Sequence, residues 1–512
     1  MSSHFPKNIV WRLIIITSIL MVALWSAYPL VQALASQPFN STTPGVEATG
    51  SASSITTNVY VPLLLSDHPW ISPFGVESNQ PILSSNGLLA HATNLNLGYA
   101  RMGTQISWAE LQPAPGVFID WGKLAGFENE LRELNQAGIT PIVIVKDSPD
   151  WALRQDVIVD GQLTSCGPIA EEHFSSFASF VQELVNRYKT PEFNVTNWEI
   201  GNEPDVDPDS VPPDHGFGCW GDSDDTAYFG GDYYGEMLKV VSAAINEADP
   251  SAKVWIGGLL LADPATTNPG QGYPERFIRG ILASGAAPYI DVVAYHAYST
   301  YWDTPGIKND WDMYFYGSWY PWGGSMIGKA RYLRQIMNEY GVNIPLFLNE
   351  TGFGCQDKNP YCDHPDDRFF QSQATHLVRF YARALSENVS GTIWYTLDGP
   401  GWRYQGLVDQ NQQPTPAYNA FKVIAQQLKY AHYASTFYYS DDIEAYAFRR
   451  NSELVHVVWA KEDTSITFYI PAEKFIQAID RDGNVISVSP PPMGADYELQ
   501  AGFDPIYVIR HP

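Results

Sequence analysis

Positive charge is scarce in this chain. Lys and Arg number 30 against 56 Asp and Glu, a formal net charge of -26. A surface of that sign repels phosphate backbones and argues against nucleic acid as a partner. It also disfavours strongly anionic polysaccharides. Cysteine is equally sparse: four occur in 512 residues, at spacings unlike those of zinc knuckles. No glycine-rich phosphate loop follows the first apolar run, which counts against nucleotide-binding α/β folds. Charged residues make up only 17% and hydrophobic ones 45%, so the chain has material for a large core and is not a disordered polymer.

What is present begins with an export pattern. Lys7 and Arg12 precede the apolar run 13–25, and Ala33-Leu34-Ala35 supplies a small-residue cleavage site. Residues 1–35 therefore read as a signal peptide, with an uncleaved membrane anchor as the alternative. Residues 36–58, rich in Ser, Thr, Gly and Pro, read as a linker. In an exported chain an even cysteine count points to disulfides. Cys355 and Cys362 enclose a short loop and are expected to pair, which leaves Cys166 with Cys219; free thiols are the alternative in a reducing compartment.

From residue 59 to 429 short apolar runs alternate with amphipathic stretches. The runs are 74–77, 99–103, 141–145, 197–201, 253–260, 290–298, 345–349 and 391–397. Their apolar character suits strands buried on both faces. Between them, Leu124, Phe127, Leu131 and Leu134 mark one helical face, with Gly138 to end it. Phe174, Phe177, Val181 and Leu184 mark another, and Tyr332, Leu333, Ile336 and Met337 a third. Strand then helix, repeated eight times, predicts an α/β (β/α)8 TIM barrel, with a doubly wound open sheet as the alternative. Residues 430–512 change to short alternating segments, 443–448, 454–459, 465–470 and 506–509, with Asp482-Gly483-Asn484 as a hairpin turn. They predict a small C-terminal antiparallel β-sandwich.

Barrel chemistry sits at the C-terminal ends of the strands. The fourth run ends Trp198-Glu199-Ile200-Gly201-Asn202-Glu203-Pro204, and the seventh ends Asn349-Glu350-Thr351. Two Glu residues on opposing strands are what glycosidic cleavage needs, one as a proton donor and one as an ionised nucleophile. Each alone reads as easily as a partner for a cation at the barrel rim. Glu199 has the same strand parity as Glu203, but its deeper position marks it as a buried partner, with Arg101 the expected cation.

With Asn202-Glu203-Pro204 and Glu350 in place, residues 70–425 resemble clan A of the glycoside hydrolases. Further matches are Arg101 in Tyr-Ala-Arg-Met, His296-Ala297-Tyr298 closing the sixth run, and Trp394 in the eighth. Trp108–Pro113 and Ser148–Ala152 are similar to loops of family 39, with family 5 as a relative. The resemblance implies Glu203 as acid/base and Glu350 as nucleophile. It also implies Arg101, Asn202, His296, Tyr298 and Trp394 as substrate-binding or supporting residues, with Trp394 as the platform for the reacting sugar.

The expected activity is thus a secreted, retaining hydrolase of poly- or oligosaccharides, with carbohydrate as its partner and a monomeric state. It requires no cofactor and no metal, since two carboxylates and water suffice. The crowd of Asp205, Asp207, Asp209, Asp214, Asp222, Asp224 and Asp225 lacks the pattern of a calcium loop and reads as a solvated acidic segment. Trp302, Trp319, Trp322, Trp402 and Tyr404, in post-strand loops, are candidates to line a sugar cleft. The alternatives are a non-catalytic carbohydrate-binding protein on the same scaffold and a surface adhesion protein that binds through its C-terminal sandwich.

Overall fold

A computed structural model of the chain describes residues 71–154, 158, 159, 162, 163, 165–208, 218–262, 274–302, 308–310, 312, 319–356 and 360–512. The signal and linker segments read from the sequence lie outside the described residues, as do Asp209 and Asp214. Among the described residues no helix is long and apolar enough to cross a membrane.

Strand and helix alternate as β1 (Phe74–Glu77), α1 (Leu88–Asn94), β2 (Tyr99–Arg101), α2 (Ala125–Gln136), β3 (Thr140–Lys146), α3 (Phe174–Tyr188), β4 (Asn197–Ile200) and α4 (Gly231–Ala248). The series continues with β5 (Lys253–Ile256), α5 (Phe277–Ala283), β6 (Val293–Tyr301), α6 (Ser325–Glu339), β7 (Leu346–Cys355), α7 (Asp367–Ser386), β8 (Thr392–Tyr395) and α8 (Pro416–Leu428). The parallel sheet runs β5-β4-β3-β2-β1-β8-β7-β6. Parallel bridges from Trp255 to Val292 and from Leu259 to Tyr295 join its two ends, so the sheet closes into a barrel rather than an open doubly wound sheet.

Period-two alternation sorts the strand side chains. Ile142, Trp255, Ala294, Phe347 and Ile393 point inward and fill the barrel floor with Tyr99 and Val292. Their neighbours point outward, where Val143, Trp198, Val254, Leu348 and Trp394 meet the helices. The helical faces read from the sequence are the buried ones: Phe127, Leu131 and Leu134 on α2, and Phe174, Phe177, Val181 and Leu184 on α3. Gly138 follows α2 at φ +71, a left-handed turn that suits glycine. Thr415 caps α8 through its hydroxyl, which accepts from the Tyr418 N–H ahead of Pro416 in the first turn.

The C-terminal region holds β9 (His432–Thr436), β10 (Ile443–Arg450), β11 (Glu453–Ala460), β12 (Ile466–Ile470), β13 (Phe475–Ile479), β14 (Tyr497–Ala501) and β15 (Ile506–Arg510). A five-stranded antiparallel sheet, β9-β10-β11-β15-β13, stacks on the β12-β14 pair. Ile443, Ala445, Val458, Val508, Phe468, Ile470 and Leu499 fill the space between them. The opposite face of the larger sheet, Tyr446, Phe448, Val455, Val457, Trp459, Tyr507 and Ile509, belongs to the same hydrophobic core as the barrel helices. Residues 69–512 accordingly form one compact unit. Three strands carry no clear sequence signal, β9, β13 and β14. Every residue of β9 is exposed, so no apolar period marks it. Asp482-Gly483-Asn484 does form a turn after β13, with the Asp480 carboxylate accepting from the Asp482 and Asn484 N–H groups.

Candidate active site

The C-terminal ends of the strands bring one cation and four carboxylates together. Arg101, at the end of β2, is 1% exposed and uses all five of its donors. Its Nε and Nη2 hold the two oxygens of Glu199 at 2.9 and 2.8 Å. Nη2 also donates to the Asn202 Oδ1 at 2.6 Å. Nη1 divides its two protons between Glu77 at 2.5 Å and Glu350 at 2.7 Å. The Arg101–Glu199 pairing expected from the sequence is therefore present, and Glu199 is fully buried.

Local backbone irregularity aims the two principal carboxylates. The chain leaves β4 at Gly201, with φ +84, and Glu203 itself sits at φ +48. A non-glycine residue there stores strain of about 1–3 kcal/mol that surrounding contacts must hold. The Glu203 N–H donates to the Gly258 carbonyl at 3.0 Å, which anchors the turn against β5. On β7 the register shifts between Leu348 and Glu350. That bulge lets two successive residues face inward: Asn349 Nδ2 donates to Glu199 at 2.9 Å, and Glu350 reaches Arg101.

His296 lies between the two carboxylates. Its Nδ1 is 2.7 Å from Glu203 Oε1, and its Nε2 is 3.5 Å from Glu350. Burial disfavours the charged ring, but the Glu350 charge and the Glu203 hydrogen bond outweigh it and hold the His296 pKa above its ordinary value. The Tyr298 hydroxyl donates to Glu350 Oε1. Burial alone would raise the Glu350 pKa; the His296 and Arg101 charges and the Tyr298 hydrogen bond reverse that and hold it below the usual carboxylate range. One oxygen each of Glu203 and Glu350 and one nitrogen of His296 all lie within 4.8 Å of one another, as a shared cation would require. His296 Nδ1 is bonded to Glu203, and Arg101 and Tyr298 donate to Glu350, an arrangement that reads as acid–base machinery.

Beneath this layer sit residues without a motif to reveal them. Gly258 donates to Glu199 at 3.1 Å, and a Cβ there would lie 2.1 Å from the His296 Nε2 and 2.6 Å from the Asn349 Oδ1. Lys329, from α6, donates to the Leu260 and His296 carbonyls at 2.6 and 2.9 Å. Burial pushes its pKa down to about 8. Asp205 accepts from the Leu260 and Leu261 N–H groups, each at 2.8 Å. Burial raises its pKa to about 6. Asp207, Asp222 and Asp225 likewise accept from backbone N–H groups of their own loop, so these members of the acidic cluster act as turn acceptors. Glu77 was visible only as the last residue of an apolar run.

Of the expected site residues, Glu203, Glu350, Arg101, Asn202, His296 and Tyr298 converge. Trp394 does not. Its side chain is fully buried on the outer face of β8, edge-on to Tyr381, with its indole N–H on the Gln405 carbonyl at 2.8 Å. Parity explains the correction: Ile393 points into the barrel, so Trp394 points out and Tyr395 points in at the mouth. Tyr395 is half-buried, and its hydroxyl donates to Asn79 at 2.7 Å. The Trp402 ring packs edge-on against Tyr298 at 5.8 Å and is 48% exposed, whereas Trp319 is buried and bonds the Leu261 carbonyl. Both expected disulfides are formed, Cys166–Cys219 and Cys355–Cys362, with Cα separations of 5.2 and 5.5 Å. Each ties loops on the face that carries the site.

No family model matches the chain, and no curated protein matches it in sequence. Solved structures do match its fold. A family 39 glycoside hydrolase from Bacteroides cellulosilyticus has a TM-score of 0.61 at 18% identity, over 86% of this chain and 80% of that one. A family 39 β-xylosidase from Caulobacter crescentus has a TM-score of 0.54 at 16% identity, over 86% and 96%. A family 30 subfamily 8 xylanase from Clostridium acetobutylicum has a TM-score of 0.56 at 11% identity, over 87% and 97%. The barrel with its C-terminal sandwich is thus the fold that glycoside hydrolases of families 39 and 30 carry, the clan to which Asn202-Glu203-Pro204 and Glu350 pointed.

Proposed function

We propose that the protein is a secreted, retaining glycoside hydrolase that cleaves O-glycosidic bonds in poly- or oligosaccharides. The carrying observation is the approach of Glu203 and Glu350 oxygens to within 4.8 Å in contrasting surroundings. Retaining enzymes set their two carboxyl groups about 5–5.5 Å apart, and inverting ones leave about 6.5–9.5 Å for a water. Glu350, held ionised by Arg101, His296 and Tyr298, is the nucleophile. Glu203, hydrogen-bonded to His296, is the acid/base. As the acid, Glu203 gives a proton to the leaving oxygen as Glu350 bonds the anomeric carbon. Glu203 then takes a proton from the water that releases the sugar.

Asn202 is held by its amide oxygen on Arg101, and its amide nitrogen is the donor for the sugar 2-hydroxyl. Tyr395 and Trp402 take over the aromatic surface first assigned to Trp394, because their rings remain partly accessible at the mouth. Carbohydrate is the only partner this chemistry requires. The two disulfides and the export pattern at the N-terminus support secretion.

Incubation of the purified chain with polysaccharides and aryl β-glycosides, xylan and β-xylosides among them, tests the reading. Nuclear magnetic resonance should show a first-formed product of retained configuration that is lost in Glu350→Gln. A first-formed product of inverted configuration would refute the nucleophile assignment. The absence of turnover across the panel, with sugar binding intact, would favour a binding protein.

A further inference from the structure

The proposed mechanism leaves unused a buried acid that shares a guanidinium nitrogen with the nucleophile. Glu77 ends β1, and its side chain is 7% exposed. In register it stands beside Arg101 on β2 and Tyr395 on β8. Its Oε2 and the Oε2 of Glu350 share a single nitrogen, Arg101 Nη1, at 2.5 and 2.7 Å. Two carboxylates on one nitrogen of a buried guanidinium repel each other strongly, and Glu199 already occupies the other side of that guanidinium. The charged and titratable groups facing Glu77 are Arg101 from β2, Glu199 from β4, Tyr298 from β6, Glu350 from β7 and Tyr395 from β8. Arg101 is the only cation among them.

We infer that Glu77 is a positioning residue that trades charge with Glu350 on Arg101, carrying a proton while Glu350 is a carboxylate and releasing it when Glu350 becomes a glycosyl ester. This rests on Glu350 as nucleophile. In the resting site below about pH 7, Arg101 faces the charges of Glu199 and Glu350, and Glu77 is neutral. Burial is the main cause, with the Glu350 and Glu199 charges adding to it against Arg101, and the Glu77 pKa stands at about 7. In the first step a bond forms between Glu350 and the anomeric carbon, the glycosidic bond breaks, and the Glu203 proton goes to the leaving oxygen. Glu350 thereby loses its charge. As that charge is lost Glu77 ionises, its proton passes to water at the mouth, and Arg101 again faces two carboxylates. Hydrolysis of the ester restores the Glu350 charge, and Glu77 recovers a proton from water. The guanidinium is never left under-compensated, which keeps Asn202 and Glu199 in place through both steps.

The test needs no substrate. Glu350→Gln mimics the neutral, esterified nucleophile while keeping hydrogen-bond acceptors for Arg101 and Tyr298. In protein labelled with carbon-13 at the Glu carboxyl carbons, one resonance should titrate near neutral pH and vanish in Glu77→Gln. In Glu350→Gln the same resonance should titrate lower by about one pH unit or more, because a like charge has been removed. Glu77→Asp removes the labelled carbon while keeping a carboxylate, so it identifies the resonance if the Gln variant does not fold. If the Glu77 resonance titrates in the ordinary Glu range in the wild type, or does not fall in Glu350→Gln, the inference is wrong. A kinetic arm uses 2,4-dinitrophenyl β-xyloside, whose leaving group needs no acid. Glu77→Gln should slow the glycosylation burst by about tenfold for each pK unit of interaction lost, and spare the steady rate that follows. An unchanged burst would also overturn the inference. Failure of the wild type to turn over any glycoside defeats the hydrolase reading instead, and leaves the titration result to be judged on its own.

Discussion

Replacing Arg383 with Met should expose how firmly the sandwich is built into the protein. Arg383 lies on α7 and is 3% exposed. Its guanidinium meets Asp310 at 2.5 Å and, in paired contacts of 2.7 Å, Glu444 of β10. Neighbouring Arg379 donates to the Ala460 and Phe503 carbonyls of the sandwich, and both Arg residues stand 5.5 Å over the Trp459 ring. Burial would push Asp310 and Glu444 up, but the Arg383 charge and hydrogen bonds outweigh it and hold both carboxyls below their usual range. Removing one member of a buried ion pair costs about 3–5 kcal/mol, because the remaining charge is left uncompensated. Here two carboxylates lose their main partner, so the upper half of that range is expected.

The sign of the pH dependence follows from the depressed folded values. Such carboxyls stabilise the fold above their unfolded pKa of about 4, and that stabilisation disappears as pH falls through the folded value. Arg383→Met removes the depression. The penalty should therefore be full at pH 7 and shrink below about pH 4, where both acids take up protons. Urea unfolding at both pH values, followed by tryptophan fluorescence, measures it. A loss under about 1 kcal/mol at pH 7 is what a solvent-exposed ion pair gives, and it would refute the account of this contact.

Other consequences are direct. Gly258→Ala should abolish turnover while circular dichroism stays unchanged, because the new methyl displaces His296 and Asn349 without opening the core. Trp394→Ala should cost about 3–5 kcal/mol of stability, as expected for truncating a buried aromatic. Trp402→Ala, at an exposed ring, should raise KM and leave the unfolding midpoint within about 0.5 kcal/mol of the wild type. Deleting residues 430–512 should yield insoluble barrel rather than an active one, since Tyr446, Phe448 and Trp459 belong to the barrel's own core; a folded, active truncation would contradict that.

The barrel was legible in the sequence because its signal is physical and repeated. Strands buried on both faces must be apolar, and helices must show a stripe, as Phe174, Phe177, Val181 and Leu184 do on α3. Glu203 and Glu350 were legible because each breaks an apolar run at a strand end. Glu199 was placed correctly by depth alone. Irregularity was harder to read. A bulge at Asn349-Glu350 turns two successive residues inward, against any period-two count. The Trp394 assignment failed for the opposite reason: its strand is regular, and parity, applied from Ile393, would have selected Tyr395. Glu77 looked like the end of an ordinary strand, and only the three-dimensional meeting with Arg101 gives it a role. Lys329 carried a usable signal, a lone cation among the buried residues Met326, Ile327, Ala330 and Leu333 of α6. The fully exposed β9 left none.

The most direct measurement of the central claim is to trap the covalent intermediate. The chain should be incubated with 2,4-dinitrophenyl 2-deoxy-2-fluoro-β-glycosides of xylose and glucose, digested, and mapped by mass spectrometry. The account predicts one glycosyl group per enzyme, carried by Glu350 and absent from Glu350→Gln. An adduct on Glu203, Glu199 or Glu77, or hydrolysis of the unfluorinated glycosides with inverted products and no adduct at all, would contradict it.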